Sequence, residues 1–331
     1  MTTFTMALYT NTPVPTVFAN EDEWRAARST FVGGSEVAAL MGLSPWADAW
    51  KVYGQKTGLV PPLEDNQKLR LGRRMEKVIA DEYELLTGRK VRRVENTVYR
   101  HPELPELGAS PDCLCIEEER GVEFKNVGQY AMDGWGDEGS DQIPTHYLIQ
   151  VQTYLEVLNL PVWDVAAMMA GQEVRLYTVE RNTTLGAEIR RVVKTFWGDH
   201  IATGNPPPVD ASDTASLWLK EKFPKNRTPL RVAEPHEAKL LEDIRDVRAA
   251  LAKLENREKE LTNLLKLAIG EAEGFTAECG SVTWKERSGR PSTDWEALVE
   301  AQKIPPQVIE RYTKVAPATR YFLPNFKKGA K

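Results

Sequence analysis

The most constraining stretch of this chain is Gly108-Ala109-Ser110-Pro111-Asp112, followed after ten intervening residues by Glu123-Phe124-Lys125. Asp112–Ile116 alternates in polarity, Gly121–Val127 reads as a second strand, and the charged run Glu117–Gly121 between them suits a solvated turn. Two adjacent antiparallel strands joined in this way bring Asp112 close to Glu123. The period of two then puts Glu123 and Lys125 on one face and turns Phe124 into the core. Two carboxylates and an ammonium converge, and the carboxylates with a backbone carbonyl, that of Phe124, and retained waters suit a hard divalent cation, Mg²⁺ or Mn²⁺. Lys125 is then placed to orient or help deprotonate an attacking water while the cation stabilises charge on a phosphate oxygen. The same residues also suit a surface hairpin in which Glu123 and Lys125 are an ordinary same-face ion pair.

Helical and strand signals surround the hairpin. Glu21–Arg28 is helical in pattern, and Ser35 reads as an N-cap ahead of Val37, Ala38, Leu40 and Met41, with Gly42 as the stop. Further helices are expected over Ala47–Thr57, Asn66–Thr87, Thr145–Leu158 and Thr183–Ala202, and strands over Arg92–Tyr99, Trp163–Met169 and Glu173–Val179. Strands in the middle with helices on both sides predict an α/β (α+β) core. Asn205-Pro206-Pro207-Pro208 stops the last of these helices. Beyond it, Leu240, Ile244, Val247, Leu251, Leu254, Leu261, Leu265 and Ala268 follow alternating four- and three-residue steps, broken where Glu258 falls on the stripe. That spacing predicts a coiled-coil-like helix partnered by another subunit or by another part of the chain. Gly280–Lys285 and Thr319–Leu323 read as strands and Trp295–Gln302 as a helix, a small α+β appendage.

Charge is divided unevenly. The formal net charge of −5 resolves into −10 for residues 1–219 and +5 for 220–331, so only local patches can decide whether nucleic acid binds. Lys68, Arg70, Arg73, Arg74 and Lys77 form one patch, Arg89, Lys90, Arg92 and Arg93 a second, and Lys220, Lys222, Lys225, Arg227 and Arg231 a third. With 41% hydrophobic and 27% charged residues, collagen-like, mucin-like and wholly disordered readings are excluded. No apolar run approaches the roughly 20 residues that span a bilayer, and no secretory order opens the chain, so a cytoplasmic location with no membrane partner is expected. Cys113 and Cys115 are spaced as strand-packing residues, and the four histidines are too scattered for a triad or a zinc motif. Trp46 and Trp50 suit either base stacking or, as aromatic pairs at this spacing more often do, a core.

Five ordered blocks extend the signal of the hairpin: Trp24–Arg28 leading into Gly34-Ser35-Glu36-Val37; Gly72–Glu76; Gly108–Asp112; Glu123–Lys125; and Tyr147–Gln152. On these blocks, over roughly Glu21 to Gly204, the chain resembles the YqaJ-type viral recombinase domain, of the lambda-type exonuclease branch of the PD-(D/E)xK nucleases. The resemblance implies a restriction-endonuclease-like core with a central mixed β-sheet flanked by helices. By the same likeness, Asp112 and Glu123 look like metal-binding carboxylates, Lys125 like the catalytic lysine, and Glu76 like a helical acid that helps hold the metal. Gln150 looks like the glutamine beside the metal and scissile phosphate. Arg28, Ser35 and Ser110 look like a pocket for a terminal 5′-phosphate, a role that a guanidinium fork, hydroxyls and a helix N-terminus suit physically. Each has an ordinary alternative: Glu76 as an ion-pair partner on its helix, Arg28 as a surface arginine, Gln150 as a surface amide.

The resemblance further implies double-stranded DNA degraded from the 5′ end, 3′ overhangs, a strand-annealing partner and a homo-oligomer. Two rival readings stand beside it: an endonuclease or nickase using the same site, and a DNA-binding or assembly protein with a vestigial core. Cys113, where the family often has glycine, is a departure, and so is everything from about Lys220 onward. The expected division is a loosely ordered 1–20, a nuclease domain over 21–208, a basic linker over 209–234, and a C-terminal helical/α+β region over 235–331 for oligomerisation, a partner or DNA contact.

Overall fold

The computed structural model describes residues 12–61, 66–289, 291–314, 323, 324 and 326. The chain divides into two units, Met1–Lys222 and Phe223–Lys331. In the first, β1 (Thr16–Val17) leads into α1 (Glu21–Ala27), where the Asn20 side chain accepts from the Glu23 N–H at 2.9 Å. β2 (Val32–Gly33) runs directly into α2 (Gly34–Leu40). Here the expected N-cap at Ser35 is corrected to Gly33. The Glu36 carboxylate turns back to accept from the Gly33 N–H at 2.7 Å, and Ser35 lies exposed inside the first turn. α3 (Ala49–Thr57) and α4 (Gln67–Thr87) start at Asp48 and Asn66 and end where Gly58 and Gly88 take φ of +77° and +72°.

The stretch expected as one strand over Arg92–Tyr99 is two, β3 (Val91–Arg93) and β4 (Thr97–His101), because Asn96 adopts a φ of +47° between them. β5 (Leu104–Ala109) has no counterpart in the sequence reading, since Pro105 and Gly108 obscure its pattern. There follow β6 (Cys113–Cys115), β7 (Arg120–Val127), α5 (Thr145–Leu158), β8 (Val162–Met169) and β9 (Glu173–Glu180). α6 (Thr183–Phe196) continues through a π-helical turn at Trp197–Ile201. Within the expected linker 209–234, α7 (Asp213–Lys222) is a helix of the first unit. Its Trp218 ring packs 5.4 Å from Trp50, which is fully buried and donates its indole N–H to the Pro208 carbonyl at 2.7 Å. Trp46, in contrast, is 72% exposed.

Two mixed sheets result. One has the order β3-β6-β7-β8-β9, antiparallel except between β7 and β8; the other has the order β1-β4-β5-β2, with β2 and β5 parallel. The parallel pair β7–β8 requires a crossover, and α5 is its helix. Alternation along β7 and β8 separates two core layers. Val122, Phe124, Ala166 and Met168 pack with Cys113 and Cys115 against Ile79, Ala80 and Tyr83 of α4. Val165, Ala167 and Met169 pack with Leu114 against the buried faces of α2, α5 and α6. Burial pushes the Cys113 thiol up to about 12 and the Cys115 thiol to about 11, which leaves both as inert packing groups. No helix among the described residues is long and apolar enough to cross a membrane.

In the second unit α8 (Pro235–Ile269) is followed by the hairpin β10 (Gly274–Ala277) and β11 (Gly280–Thr283), then α9 (Trp295–Ala301) and α10 (Pro306–Tyr312). The strand expected over Thr319–Leu323 lies outside the described residues except for Leu323.

Two glycines make opposite demands on this fold. A Cβ on Gly121 would stand 2.2 Å from the Trp163 ring, whereas one on Gly72, in the interior of α4, would meet nothing. Gly121→Ala is therefore expected to destabilise the chain by about 1–3 kcal/mol and Gly72→Ala to stabilise it by roughly 0.5–1 kcal/mol. Denaturant unfolding of both variants checks the pair.

Candidate active site

The site is built by register. Cys113 pairs with Val122 and Leu114 with Gly121, which carries Asp112, just before β6, to the position opposite Glu123. Asp112 accepts from the Phe124 N–H through Oδ2 at 2.8 Å, and its carboxyl also contacts that of Glu123. Two residues along β7, Lys125 returns to the same face and donates to Glu123 Oε1 at 2.6 Å. From the crossover helix above that face, the Gln150 side chain closes the group. Its Nε2 donates to Glu123 Oε1 at 2.8 Å, and its Oε1 accepts from Lys125 Nζ at 3.2 Å.

Electrostatics in this corner are tense. Glu123 is 3% exposed, and burial, together with the Asp112 carboxylate, pushes its carboxyl up to about 8 against the pull of Lys125. Burial likewise raises Asp112, with Lys125 and the Phe124 N–H opposing. Burial alone would lower Lys125, but Glu123 and Asp112 outweigh it and hold the ammonium above the ordinary lysine range. Glu123 Oε2 is buried with no hydrogen-bond partner, an orphaned acceptor in a place where such atoms are costly. Glu76 of α4 feels the same field: burial and then Asp112 raise it to about 7, while Arg93 donates to its Oε2 at 3.1 Å. It thus has an ion pair across to β3. Among the described residues no three His, Cys, Asp or Glu side chains group closely enough to hold a metal by themselves. A cation here would draw on the two carboxylates, a backbone carbonyl and water, the mixture that Mg²⁺ accepts.

Two aromatic residues were not identified from the sequence as members of this group. The Tyr154 hydroxyl accepts from Gln150 Nε2 at 2.8 Å, and Lys125 Nζ lies 4.6 Å from the centre of the Tyr147 ring. Tyr147, Gln150 and Tyr154 follow three- and four-residue steps, so one face of α5 carries all three, and that periodicity was the available signal.

Arg28, Ser110 and Ser35 are placed less tightly. The Arg28 guanidinium lies 5.2 Å from the centre of the Trp24 ring, and the Trp24 indole N–H donates to Ser110 Oγ at 3.2 Å. Ser110 spends its own proton on the Thr97 carbonyl at 2.9 Å. Ser35 is exposed and makes no hydrogen bond to either residue. Lys56 is a further member that the sequence did not single out. Its side chain is 2% exposed and donates to the Arg28 carbonyl at 2.7 Å and to both Glu36 oxygens at 2.8 and 2.7 Å. Glu36 in turn holds the Gly33 N–H, so one buried ion pair ties the Arg28 backbone to the start of α2.

Comparison with known proteins agrees with the blocks read from the sequence. Residues 23–161 match the family described as the YqaJ-like viral recombinase domain. The uncharacterized protein YqaJ of Bacillus subtilis (strain 168) is 27% identical over 312 residues, 91% of this chain and 92% of that protein. Among solved structures, the alkaline exonuclease LHK-Exo of Laribacter hongkongensis superposes with a TM-score of 0.45 at 24% identity, covering 55% of this chain and 93% of that one. A phage related exonuclease of Haemophilus somnus 129PT gives 0.37 at 12% identity, covering 53% and 96%. The family match thus falls wholly within the first unit and takes in Asp112, Glu123, Lys125 and Gln150.

Proposed function

We propose that the first unit is a metal-dependent deoxyribonuclease, a 5′→3′ double-strand DNA exonuclease of a phage-type recombination system. It hydrolyses phosphodiester bonds and leaves 3′ single-stranded overhangs for a strand-annealing partner. The observation that carries this reading is the corner in which Asp112, Glu123, Lys125 and Gln150 meet while Glu123 Oε2 has no partner.

Asp112, Glu123 and the Phe124 carbonyl would hold Mg²⁺ or Mn²⁺, and Glu76, whose carboxyl feels the Asp112 charge, would assist through water. Bound there, the ion supplies Lewis-acid polarisation of a phosphate oxygen and a water of lowered pKa. Lys125, held as an ammonium, orients the attacking water and faces the charge that builds on the phosphate. Gln150 fixes Lys125 and Glu123 relative to each other, and Tyr154 fixes Gln150. Arg28 and Ser35 bind the terminal 5′-phosphate, Arg28 through a charge-assisted contact braced by Trp24, and Ser110 joins them by turning its hydroxyl proton from the Thr97 carbonyl to the phosphate.

Asp112→Asn, Glu123→Gln and Lys125→Met are each expected to lower Mg²⁺-dependent cleavage of linear duplex about 10²-fold or more, with duplex binding in EDTA kept within a few-fold. Wild-type rates in these variants would refute the site. Mg²⁺ should also raise the thermal midpoint of the wild type and leave that of Glu123→Gln nearly unchanged, a measurement independent of cleavage. Strand and end preference form a separate test. A 5′-phosphorylated end should be digested faster than a 5′-hydroxyl end, Arg28→Ala should erase that difference, and closed circular DNA should survive. Nicked circles would instead support an endonuclease using the same residues.

A further inference from the structure

A single helix of 35 residues spans about 50 Å and has no interior of its own, so an apolar stripe along it calls for a second surface. On α8 the stripe residues Leu240, Val247, Leu251, Leu254, Leu261 and Leu265 are each 42–67% exposed, and Ile269 is the only buried residue among those described in the helix. We infer that α8 of a second copy of this chain covers the stripe, and that the two helices run antiparallel.

Orientation follows from charge. In a parallel pair Glu258 faces its own counterpart at an inward heptad position, placing two like charges in contact. The flanking carboxylate that would then cross to Arg248 is Asp243, which Lys239 already holds at 2.9 Å. An antiparallel pair centred between Ala252 and Lys253 behaves differently. Leu240 meets Leu265 of the second copy, Ile244 meets Leu261, Leu251 meets Leu254, and Glu258 meets Val247. Arg248 then lies across from Glu255, with Glu258 also within its reach. Lys239–Asp243, Arg245–Asp246 and Arg257–Glu260 are ion pairs within the helix, whereas Arg248, Glu255 and Glu258 form none among the described residues. Antiparallel pairing gives partners to those three charges and breaks none of the existing pairs.

Cross-linking tests the register on the full chain, in a Cys279→Ser background because Cys279 is exposed while Cys113 and Cys115 are buried. Val247→Cys and Glu258→Cys chains carrying tags of different size are coexpressed and oxidised. A disulfide joining the two is expected, and none is expected in either variant alone, because the two copies of residue 247 lie about 16 Å apart in this register. Cross-links formed by each variant with itself would mean a parallel pair and overturn the proposal. Light scattering supplies the second arm. Leu251→Asp/Leu254→Asp should halve the molar mass with the thermal midpoint of the first unit preserved, whereas a monomeric wild type or an unchanged mass would overturn it. Mass is read here rather than cleavage, so a failure of this pairing is separate from a failure of the nuclease reading.

Discussion

Asp112 and Glu123 are two carboxyl groups held within contact of each other in a place with little water, and the rest of the first unit is arranged to keep them there. A carboxyl raised from its ordinary value to about 8 represents strain on the order of a few kcal/mol when ionised. Left to local preferences, the hairpin would splay and hydrate both groups. It cannot, because β7 is hydrogen-bonded to β6 on one side and, along its full length from Arg120 to Val127, to β8 on the other. Lys125 relieves part of the repulsion, but it reaches only one oxygen of Glu123 and leaves the other without a partner.

The contrast with other buried acids in the same unit sharpens the distinction between support and chemistry. Asp164 on β8 is 3% exposed and fully engaged, accepting from Tyr83 at 2.7 Å, Arg120 at 2.5 Å and Thr178 at 2.8 Å. Glu156 on α5 is equally buried and is surrounded by Arg181, Arg190 and, at 3.6 Å, His101. Gln152, one turn earlier on that helix, is satisfied by the Glu180 carbonyl and the Asn182 N–H. These groups bind α5 and β8 to their neighbours and have no acceptor to spare. Glu123 is as deeply placed and has one, so burial alone does not separate the two kinds of acid; hydrogen-bond satisfaction does.

The hairpin was legible in the sequence because everything needed to place Asp112, Glu123 and Lys125 is local: two alternating runs, a charged turn and a period of two. Gln150 was readable only through resemblance, since nothing in residues 145–158 says which face of the helix meets β7. Lys56 was not readable at all, because its partners Glu36 and the Arg28 carbonyl come from two other elements. Local signals also misled where tertiary contacts prevailed. Ser35 has the side chain of an N-cap, yet the parallel pairing of Gly33 with Gly108 extends the strand to Gly33 and starts the helix two residues earlier. β5 is concealed by Gly108, which is there because a Cβ would stand 2.4 Å from the Phe31 ring. On α8 the stripe was plain in the sequence, but a helix pattern names no partner.

The Arg28 cluster and the carboxylate corner are joined by a close approach of helix backbones. A Cβ on Gly34 would stand 2.7 Å from the Tyr154 ring and 3.1 Å from the Gln150 carbonyl, so α2 approaches α5 as closely as a glycine permits. On one side of that contact lie Ser35 and, through Glu36 and Lys56, the Arg28 backbone. On the other, Gln150 and Tyr154 hold the carboxylate corner. Helix backbones in van der Waals contact do not stretch as long side chains do. If the Arg28 cluster receives a terminal phosphate, its distance from the bond to be cut is therefore set by the packing of two helices, and that rigidity is what a nuclease removing units of fixed length from an end requires.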